Sequence, residues 1–239
     1  MKRILLMVFR NLIFVPFAWI KLCWYAGHVE RYTEEQKYDI LRMITDHAVR
    51  SGNITIDAHG VENIPSESGY MFYPNHQGMF DMLAIIHSNE KPLSAIVKKE
   101  AAGVPFLKQV IALMKGFAID REDIRQSMEV IIKVTKEVKA GRNYVIFAEG
   151  TRSRNGNHLL EFKGGSFKAA TKAKCPIIPV ALIDSYKAFD TGSIAQITVQ
   201  VHYLPPMLYE EYKDMKTVEI AAEVKRRIEE TIREYDTAA

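Results

Sequence analysis

The stretch FYPNHQGMFD, residues 72–81, contains the transition that decides the fold. Residues 70–73 form a short apolar run that predicts a buried strand, and Pro74 ends that run. A polar turn comes next, and the apolar spacing over residues 79–88 predicts a helix. A strand that leads through a turn into a helix is the basic unit of an α/β domain.

Two ionisable side chains flank this turn, five positions apart. On one continuous helix His76 and Asp81 would point about 140° away from each other. They can therefore meet only if His76 precedes the helix and Asp81 lies in its first turn. Gly78, between them, lets the backbone turn sharply.

Outward from this stretch, short apolar runs alternate with amphipathic helical segments. Strands are predicted at residues 53–60, 70–73, 93–97, 116–119, 144–148, 177–183 and 197–203. Helices are predicted at residues 79–88, 104–114, 123–139, 167–174 and 218–235. This alternation predicts an α/β fold with a mixed, largely parallel sheet flanked by helices, in which ligands bind where the chain leaves the strands.

The first thirty residues have a different character. Residues 4–26 are almost entirely apolar, which is typical of a membrane-docking helix, a bilayer span, a signal peptide or a helix packed on the protein's own core. The few basic residues are spaced so that one continuous helix would carry them on one narrow stripe: Arg3, Arg10, Lys21 and His28. A basic stripe on an apolar helix that carries Trp19 and Trp24 favours a helix lying in the membrane interface.

Pro16 is expected to kink this helix, and a second helix is predicted at residues 33–49. The sequence thus predicts an N-terminal membrane-docking helical hairpin. We expect two parts, a membrane-associated helical pair at residues 1–50 and an α/β domain at residues 51–239.

His76 and Asp81 also offer chemistry. A histidine oriented by a carboxylate can act as a general base, and a separate protein nucleophile is unnecessary if the substrate's own hydroxyl attacks. His76 is the only one of the seven histidines with an aspartate five positions later. The pattern alone is weak, because a strand-end histidine held by a helix-capping aspartate would look the same.

Two further strand exits carry arginine. In VIFAEGTRSR, residues 145–154, Gly150 allows a tight turn and Arg152 offers a forked donor suited to phosphate, although a solvated basic loop would look alike. In GFAIDR, residues 116–121, Asp120 and Arg121 lie at another exit, where a structural salt bridge is the simpler interpretation. The three exits would meet near one edge of the sheet.

The composition excludes several classes of function. A net charge of +3 without a long Lys/Arg run does not indicate nucleic-acid binding. Two cysteines, far apart in the chain, fit a reducing, cytoplasmic setting. No phosphate-binding glycine loop and no zinc-ligand spacing occur. Ser166, in GGSFK, fails the G-x-S-x-G pattern of a hydrolase nucleophile elbow at its last position.

Taken together, the segments resemble the glycerolipid acyltransferase family. Four blocks match in order over residues 55–185, and the second is in two pieces: NHQGMFD (75–81), KKEAAGVPF (98–106) with GFAIDR (116–121), FAEGTRSR (147–154) and PIIPVAL (176–182). Where the third block usually has proline before its glutamate, this chain has Ala148, which changes no functional group.

The resemblance implies transfer of a fatty acyl group to the sn-2 hydroxyl of 1-acyl-glycerol 3-phosphate (lysophosphatidic acid), forming phosphatidic acid. It implies that His76 is the general base and that Asp81 orients it. It also implies a glycerol-phosphate site, in which the arginines hold the phosphate and the glutamate orients an arginine or a glycerol hydroxyl. That site comprises Arg121, Glu149, Gly150, Thr151 and Arg152.

The acyl donor would be a thioester of coenzyme A or acyl carrier protein, and no metal or other cofactor is expected. The protein would be a peripheral, monotopic protein on the cytoplasmic face of the cell membrane, with the lipid bilayer as its partner. Two alternatives remain open. In the first alternative, the fold is the same but the acceptor is glycerol 3-phosphate or another lysolipid. In the second, the chain is a non-catalytic lipid-binding protein.

Overall fold

The computed structural model describes residues 2–120 and 122–236, and seven strands in these ranges form one sheet. The strands are β1 (Ile54–His59), β2 (Met71–Pro74), β3 (Leu93–Lys98), β4 (Phe117–Ile119), β5 (Asn143–Val145), β6 (Ile177–Ile183) and β7 (Ile197–Tyr203). Their order across the sheet is β1-β7-β6-β2-β5-β3-β4. Strands β2 to β6 run parallel, whereas β7 pairs antiparallel with β6 and parallel with β1. The predicted mixed, largely parallel sheet is confirmed.

Helices cover both faces of the sheet. They are α1 (Lys2–Arg10), α2 (Phe14–Gly27), α3 (Glu34–Ser51), α4 (Asp81–Ser88), α5 (Leu107–Leu113), α6 (Ile124–Lys139), α7 (Lys168–Ala173), α8 (Tyr209–Tyr212) and α9 (Thr217–Tyr235).

The alternation of side chains along β2 divides the core into two layers. Tyr70 and Phe72 point into one apolar cluster with residues of α1 to α5, and Met71 and Tyr73 point into the other with residues of α6, α7 and α9. All four are fully buried. Because β2 is central and covered on both faces, its exit is held rigidly between the two layers.

Most predicted boundaries lie within a few residues of the observed ones, and the differences have local causes. Strand β5 ends at Val145 rather than residue 148, since the Gly150 N–H donates to the Phe147 carbonyl and closes a turn there. Helix α5 begins at Leu107 rather than residue 104, because Phe106 has a φ of +73°, which no helix tolerates.

The prediction of one N-terminal helix with a kink at Pro16 is wrong about where the chain bends. The chain breaks at residues 11–13 into α1 and α2, whose axes are bent by 94°. Pro16 lies in the first turn of α2, where its missing N–H costs no hydrogen bond, so the bend precedes the proline instead of occurring at it. The single basic stripe therefore does not exist.

Arg3 and Arg10 bind the rest of the protein, whereas the predicted stripe placed both cations at the membrane interface. Arg3 is 1% exposed and donates hydrogen bonds to the carbonyls of Gly52, Ala188 and Ala195. Arg10 donates to the Ser51 carbonyl. Both cations thus hold α1 against the end of α3. Arg3 also holds α1 against the segment between β6 and β7, which contains Ala188 and Ala195.

Helices α1 to α3 also contribute to the core on their face of the sheet, through Met7, Leu22 and Leu41. The division at residue 50 stays a prediction. Within the described residues, no single helix is long and apolar enough to cross a bilayer, although the bent pair α1 and α2 together meets that criterion by length and composition.

Candidate active site

The exit of β2 brings His76 and Asp81 into contact. The His76 Nδ1 lies 2.7 Å from the Asp81 Oδ2. Asp81 is the first residue of α4, and His76 precedes the helix, which is the arrangement that the five-residue spacing requires. The predicted contact between the two side chains is therefore observed.

The Asp81 carboxylate is fully buried and surrounded by donors. Its Oδ2 accepts the backbone N–H groups of Gln77 at 2.7 Å and Gly78 at 3.0 Å. Its Oδ1 accepts the Ser185 hydroxyl at 2.6 Å. Donors on both oxygens stabilise the ionised carboxylate and fix its orientation.

The protonation pattern of the His76 ring follows from this geometry. An ionised carboxylate only accepts hydrogen bonds, so Nδ1 of His76 is the donor to Asp81, which leaves Nε2 as the ring nitrogen that can accept a proton. The ring stacks on Phe147 with centroids 4.2 Å apart. Its side chain is 23% exposed, compared with 1% for Asp81. A ring fixed on one side and open on the other can take a proton from a bound hydroxyl.

Glu149 supports the same turn from the exit of β5. Its Oε1 accepts the backbone N–H of His76 at 2.7 Å, and its Oε2 accepts that of Leu160 at 3.0 Å. Burial raises the pKa of Glu149 above its ordinary value, and the two N–H groups act in the opposite direction. The expected role for Glu149, to orient an arginine or a glycerol hydroxyl, stays a prediction, and its observed contacts are to the backbone.

The loop after Glu149 is joined directly to the histidine. Gly150 has a φ of +77°, which glycine adopts without strain. Two residues beyond Thr151, the Ser153 N–H donates to the His76 carbonyl at 2.8 Å. Arg152 lies between them, and within residues 2–120 and 122–236 its guanidinium has no hydrogen-bond or ion-pair partner. A tethered loop thus presents a partly exposed cation beside the His76 turn.

The third predicted exit differs. Strand β4 lies three strands from β2, about 14 Å along the sheet. Asp120 forms an ion pair with Lys99, at the exit of β3, with Nζ and Oδ2 2.7 Å apart. Arg121 lies outside the described residues, and its predicted phosphate contact stays a prediction.

Sequence reasoning missed two residues of the site. Phe147, assigned there to a strand, supports the imidazole ring, and Ser185, two residues after β6, binds the Asp81 carboxylate. The sequence signal available for Ser185 was its place just after a predicted strand. Its partner, Asp81, lies 104 residues away in the sequence, so the contact itself could not be predicted.

Comparison with known proteins adds independent information. The model of a family described as "Acyltransferase" matches residues 55–183. A 1-acyl-sn-glycerol-3-phosphate acyltransferase of Salmonella typhimurium is 33% identical over 167 residues, which cover 70% of this chain and 68% of that protein. The protein of the same name from Escherichia coli is 32% identical, with the same coverage.

Two further relatives extend the likeness over nearly the whole chain. The 1-acyl-sn-glycerol-3-phosphate acyltransferase alpha of Mus musculus is 28% identical over 97% of this chain and 81% of its own. The solved structure of a 1-acyl-sn-glycerophosphate (LPA) acyltransferase from Thermotoga maritima superposes with a TM-score of 0.74 at 20% identity. It covers 97% of this chain and 98% of its own, so the two proteins share their fold.

Proposed function

This chain belongs to the acyltransferase family and is an acyltransferase, and from that premise we propose that it acylates the sn-2 hydroxyl of 1-acyl-glycerol 3-phosphate. The product would be phosphatidic acid. The observation that carries the proposal is the His76–Asp81 pair, in which the carboxylate holds Nδ1 of a partly exposed histidine ring. The choice of acceptor is supported by the names of the relatives.

The proposed reaction is one direct displacement. His76 Nε2 takes the proton of the acceptor hydroxyl while the hydroxyl oxygen attacks the thioester carbonyl carbon. The tetrahedral intermediate then expels the thiolate as its carbon–sulfur bond breaks, and the thiolate takes the proton from the His76 imidazolium, which restores the base. Asp81 holds the ring and stabilises the imidazolium that forms. General-base catalysis of this kind accelerates a reaction by about 10²–10⁴-fold. Because a thiolate leaves readily, the displacement needs no metal, cofactor or acyl-enzyme, and the thioester of coenzyme A or acyl carrier protein suffices as donor.

The acceptor phosphate is proposed to bind the loop of Gly150, Thr151 and Arg152, which Ser153 joins to the His76 turn. A free guanidinium can meet two phosphate oxygens at once. Glu149 acts indirectly in this proposal, because its carboxylate holds the backbone of His76 in place.

Arg152→Ala should raise KM for 1-acyl-glycerol 3-phosphate about 10-fold or more, because a charge-assisted hydrogen bond to phosphate is lost. KM for the acyl thioester should stay within about twofold, a margin well under 1 kcal/mol. Steady-state kinetics with each substrate varied in turn gives both values, and Arg154→Ala, two positions further along the loop, is the matched control. If KM rises for the thioester and not for the acceptor, the loop belongs to the donor site.

An acceptor panel tests the proposed function. Purified protein would be given one acyl thioester with 1-acyl-glycerol 3-phosphate, glycerol 3-phosphate, or a lysolipid without a free phosphate monoester. The highest kcat/KM is expected for 1-acyl-glycerol 3-phosphate, with the new ester at sn-2. A higher value for glycerol 3-phosphate or for the other lysolipid would assign the enzyme to that acceptor.

The N-terminal helices support a peripheral position on the membrane, which we place on the cytoplasmic face. Arg3 and Arg10 bind the protein, and apolar side chains of α1, α2 and the link between them project outward. The most exposed of them are Leu5, Phe9, Leu12, Ile13, Phe17, Ile20 and Trp24. So many exposed apolar side chains on two successive helices are typical of an interface with lipid.

Phe9→Ser, Ile13→Ser and Ile20→Ser combined should lower partitioning onto lipid vesicles at least about 100-fold, because each side chain loses roughly 1 kcal/mol or more of apolar transfer. These residues are 72%, 93% and 69% exposed, so folding should be unaffected. Vesicle co-sedimentation measures the partitioning. Deletion of residues 1–28 would also remove these apolar side chains, but it would remove the buried Arg3 with them.

A matched triple variant serves as the control. Ile124, Ile132 and Val218 are also exposed, at 78%, 46% and 62%, but they lie on α6 and α9. Serine at these three positions should leave vesicle binding within about twofold of wild type. Equal losses in both triple variants would contradict docking through α1 and α2.

A further inference from the structure

The Asp81 carboxylate is fixed by two kinds of hydrogen bond. Those from the Gln77 and Gly78 N–H groups come from the same turn as His76, so they move with that turn. The bond from Ser185 comes from the segment after β6. Among the donors to Asp81 in the described residues, the Ser185 hydroxyl is the one from a distant part of the chain.

The burial of Ser185 and its distance from Asp81 both favour a strong hydrogen bond. Ser185 is fully buried, and its Oγ lies 2.6 Å from the Asp81 Oδ1. A hydroxyl facing an ionised carboxylate must donate its proton, so the bond is charge-assisted and stronger than a neutral one. It restrains the Oδ1 atom, while the His76 ring is bound to Oδ2.

The backbone before Ser185 is held in an uncommon conformation that directs it there. Asp184 has a φ of +63°, in the left-handed region that non-glycine residues seldom adopt. The Asn157 side chain brackets it, since its Oδ1 accepts the Asp184 N–H at 2.9 Å and its Nδ2 donates to the Asp184 Oδ1 at 3.2 Å. The same Asn157 Oδ1 accepts the Gln77 side-chain amide at 2.7 Å. The exit of β6 and the His76 turn are thereby tied together.

We infer that Ser185 is a positioning residue for the reaction, acting through Asp81. It fastens the His76–Asp81 pair to the sheet, so that His76 Nε2 stays aimed at the acceptor hydroxyl. This inference rests on the proposed function of the pair. Ser185 itself touches neither substrate in this account.

Ser185→Ala should lower kcat about 10-fold, the equivalent of one charge-assisted hydrogen bond in the transition state. KM for both substrates should stay within about twofold, because no binding contact is removed. Ser185→Cys keeps the volume and a weak donor, and its kcat should lie between those of Ser185→Ala and wild type.

Ser94→Ala is the matched control. Ser94 is 2% exposed, and its Oγ also makes a 2.6 Å hydrogen bond, to the Met114 carbonyl. Both alanine variants should lose stability in urea unfolding, Ser185→Ala the more because its bond is charge-assisted, yet kcat should fall only when Ser185 is changed.

A double-mutant cycle with Asp81→Ala separates positioning from a general structural effect. In the Asp81→Ala background, Ser185→Ala should change the residual kcat by less than twofold, because the carboxylate it restrains is gone. An equal loss in both backgrounds would overturn the inference, as would wild-type kcat in Ser185→Ala or a rise in KM alone. If Ser185→Ala does not fold, Ser185→Cys decides by the same criteria.

Failure of the proposed function would look different. If the wild-type protein formed no phosphatidic acid from 1-acyl-glycerol 3-phosphate, the proposed function itself would fail. If Asp81→Ala retained full transfer activity, the pair would not be the catalytic centre, and the inference about Ser185 would fail with it. If Asp81→Ala lost activity and Ser185→Ala did not, only the inference about Ser185 would be wrong.

Discussion

His76→Ala should lower kcat for acyl transfer by about 10³–10⁴-fold, with KM for both substrates within a fewfold of wild type. The loss follows from removing the only group proposed to take the proton from the acceptor hydroxyl, a role that contributes up to about 10⁴-fold. Substrate binding should persist, because the acceptor phosphate is proposed to bind the Arg152 loop and not His76. Steady-state rates of phosphatidic acid formation measure the effect.

The chain contains its own control for this variant. His87 and Asp46 form a second histidine–aspartate pair, with Nδ1 and Oδ1 also 2.7 Å apart, on α4 and α3. His87→Ala should leave kcat within about twofold of wild type, since that pair lies outside the candidate site. Full activity of His76→Ala would show that the base is another group.

Arg3→Ala should destabilise the protein by about 3–5 kcal/mol. The change leaves several buried carbonyls without donors, and each such unsatisfied group costs about 1–3 kcal/mol. Three of these acceptors are the carbonyls of Gly52, Ala188 and Ala195, contributed by separate parts of the chain. Urea unfolding in detergent gives the difference in the free energy of unfolding.

Two further variants isolate the cause of this effect. Arg3→Met keeps most of the side-chain volume but no donor, so it should be destabilised nearly as much as Arg3→Ala. Lys2→Ala changes an exposed cation one position earlier and should cost less than about 0.5 kcal/mol. A stable Arg3→Met protein would mean that packing, and not hydrogen bonding, makes Arg3 important.

The sheet could be predicted from the sequence because its information is local. Buried central strands are continuous apolar runs, as in Ile177–Ile183, and the amphipathic spacing of Ile124–Lys139 marks a helix. The contact between His76 and Asp81 was predictable for the same reason, since only five residues separate them and the geometry of strand, turn and helix leaves one arrangement.

Arg3 shows where local information ends. Helical spacing placed Arg3 on one stripe with Arg10, Lys21 and His28 at a membrane interface. The bend at residues 11–13 separates α1 from the helix that carries Lys21, and the face of α1 with Arg3 and Arg10 packs on the protein instead. The partners of Arg3 are backbone carbonyls, which every residue has, so no residue type in the sequence marks them as acceptors. One of these carbonyls belongs to Ala195, 192 positions further along the chain.

Glu149 and Ser185 illustrate the same limit inside the site. The resemblance assigned Glu149 to orienting an arginine or a glycerol hydroxyl, and it gave no sign that the carboxylate also binds the backbone of His76 and Leu160. Ser185 reaches Asp81 only because β6 lies beside β2 in the sheet. Sheet order arises from the packing of the whole chain and cannot be read from either segment alone.

The central claim is that His76 activates the acceptor hydroxyl for direct attack, with no acyl group passing through the protein. Intact-protein mass spectrometry after incubation with an acyl thioester alone tests this claim most directly. We expect the protein mass to stay unchanged, and phosphatidic acid to form only after 1-acyl-glycerol 3-phosphate is added. An acyl adduct that forms at one per protein within the time of a turnover, and then passes its acyl group to the added acceptor, would contradict the account.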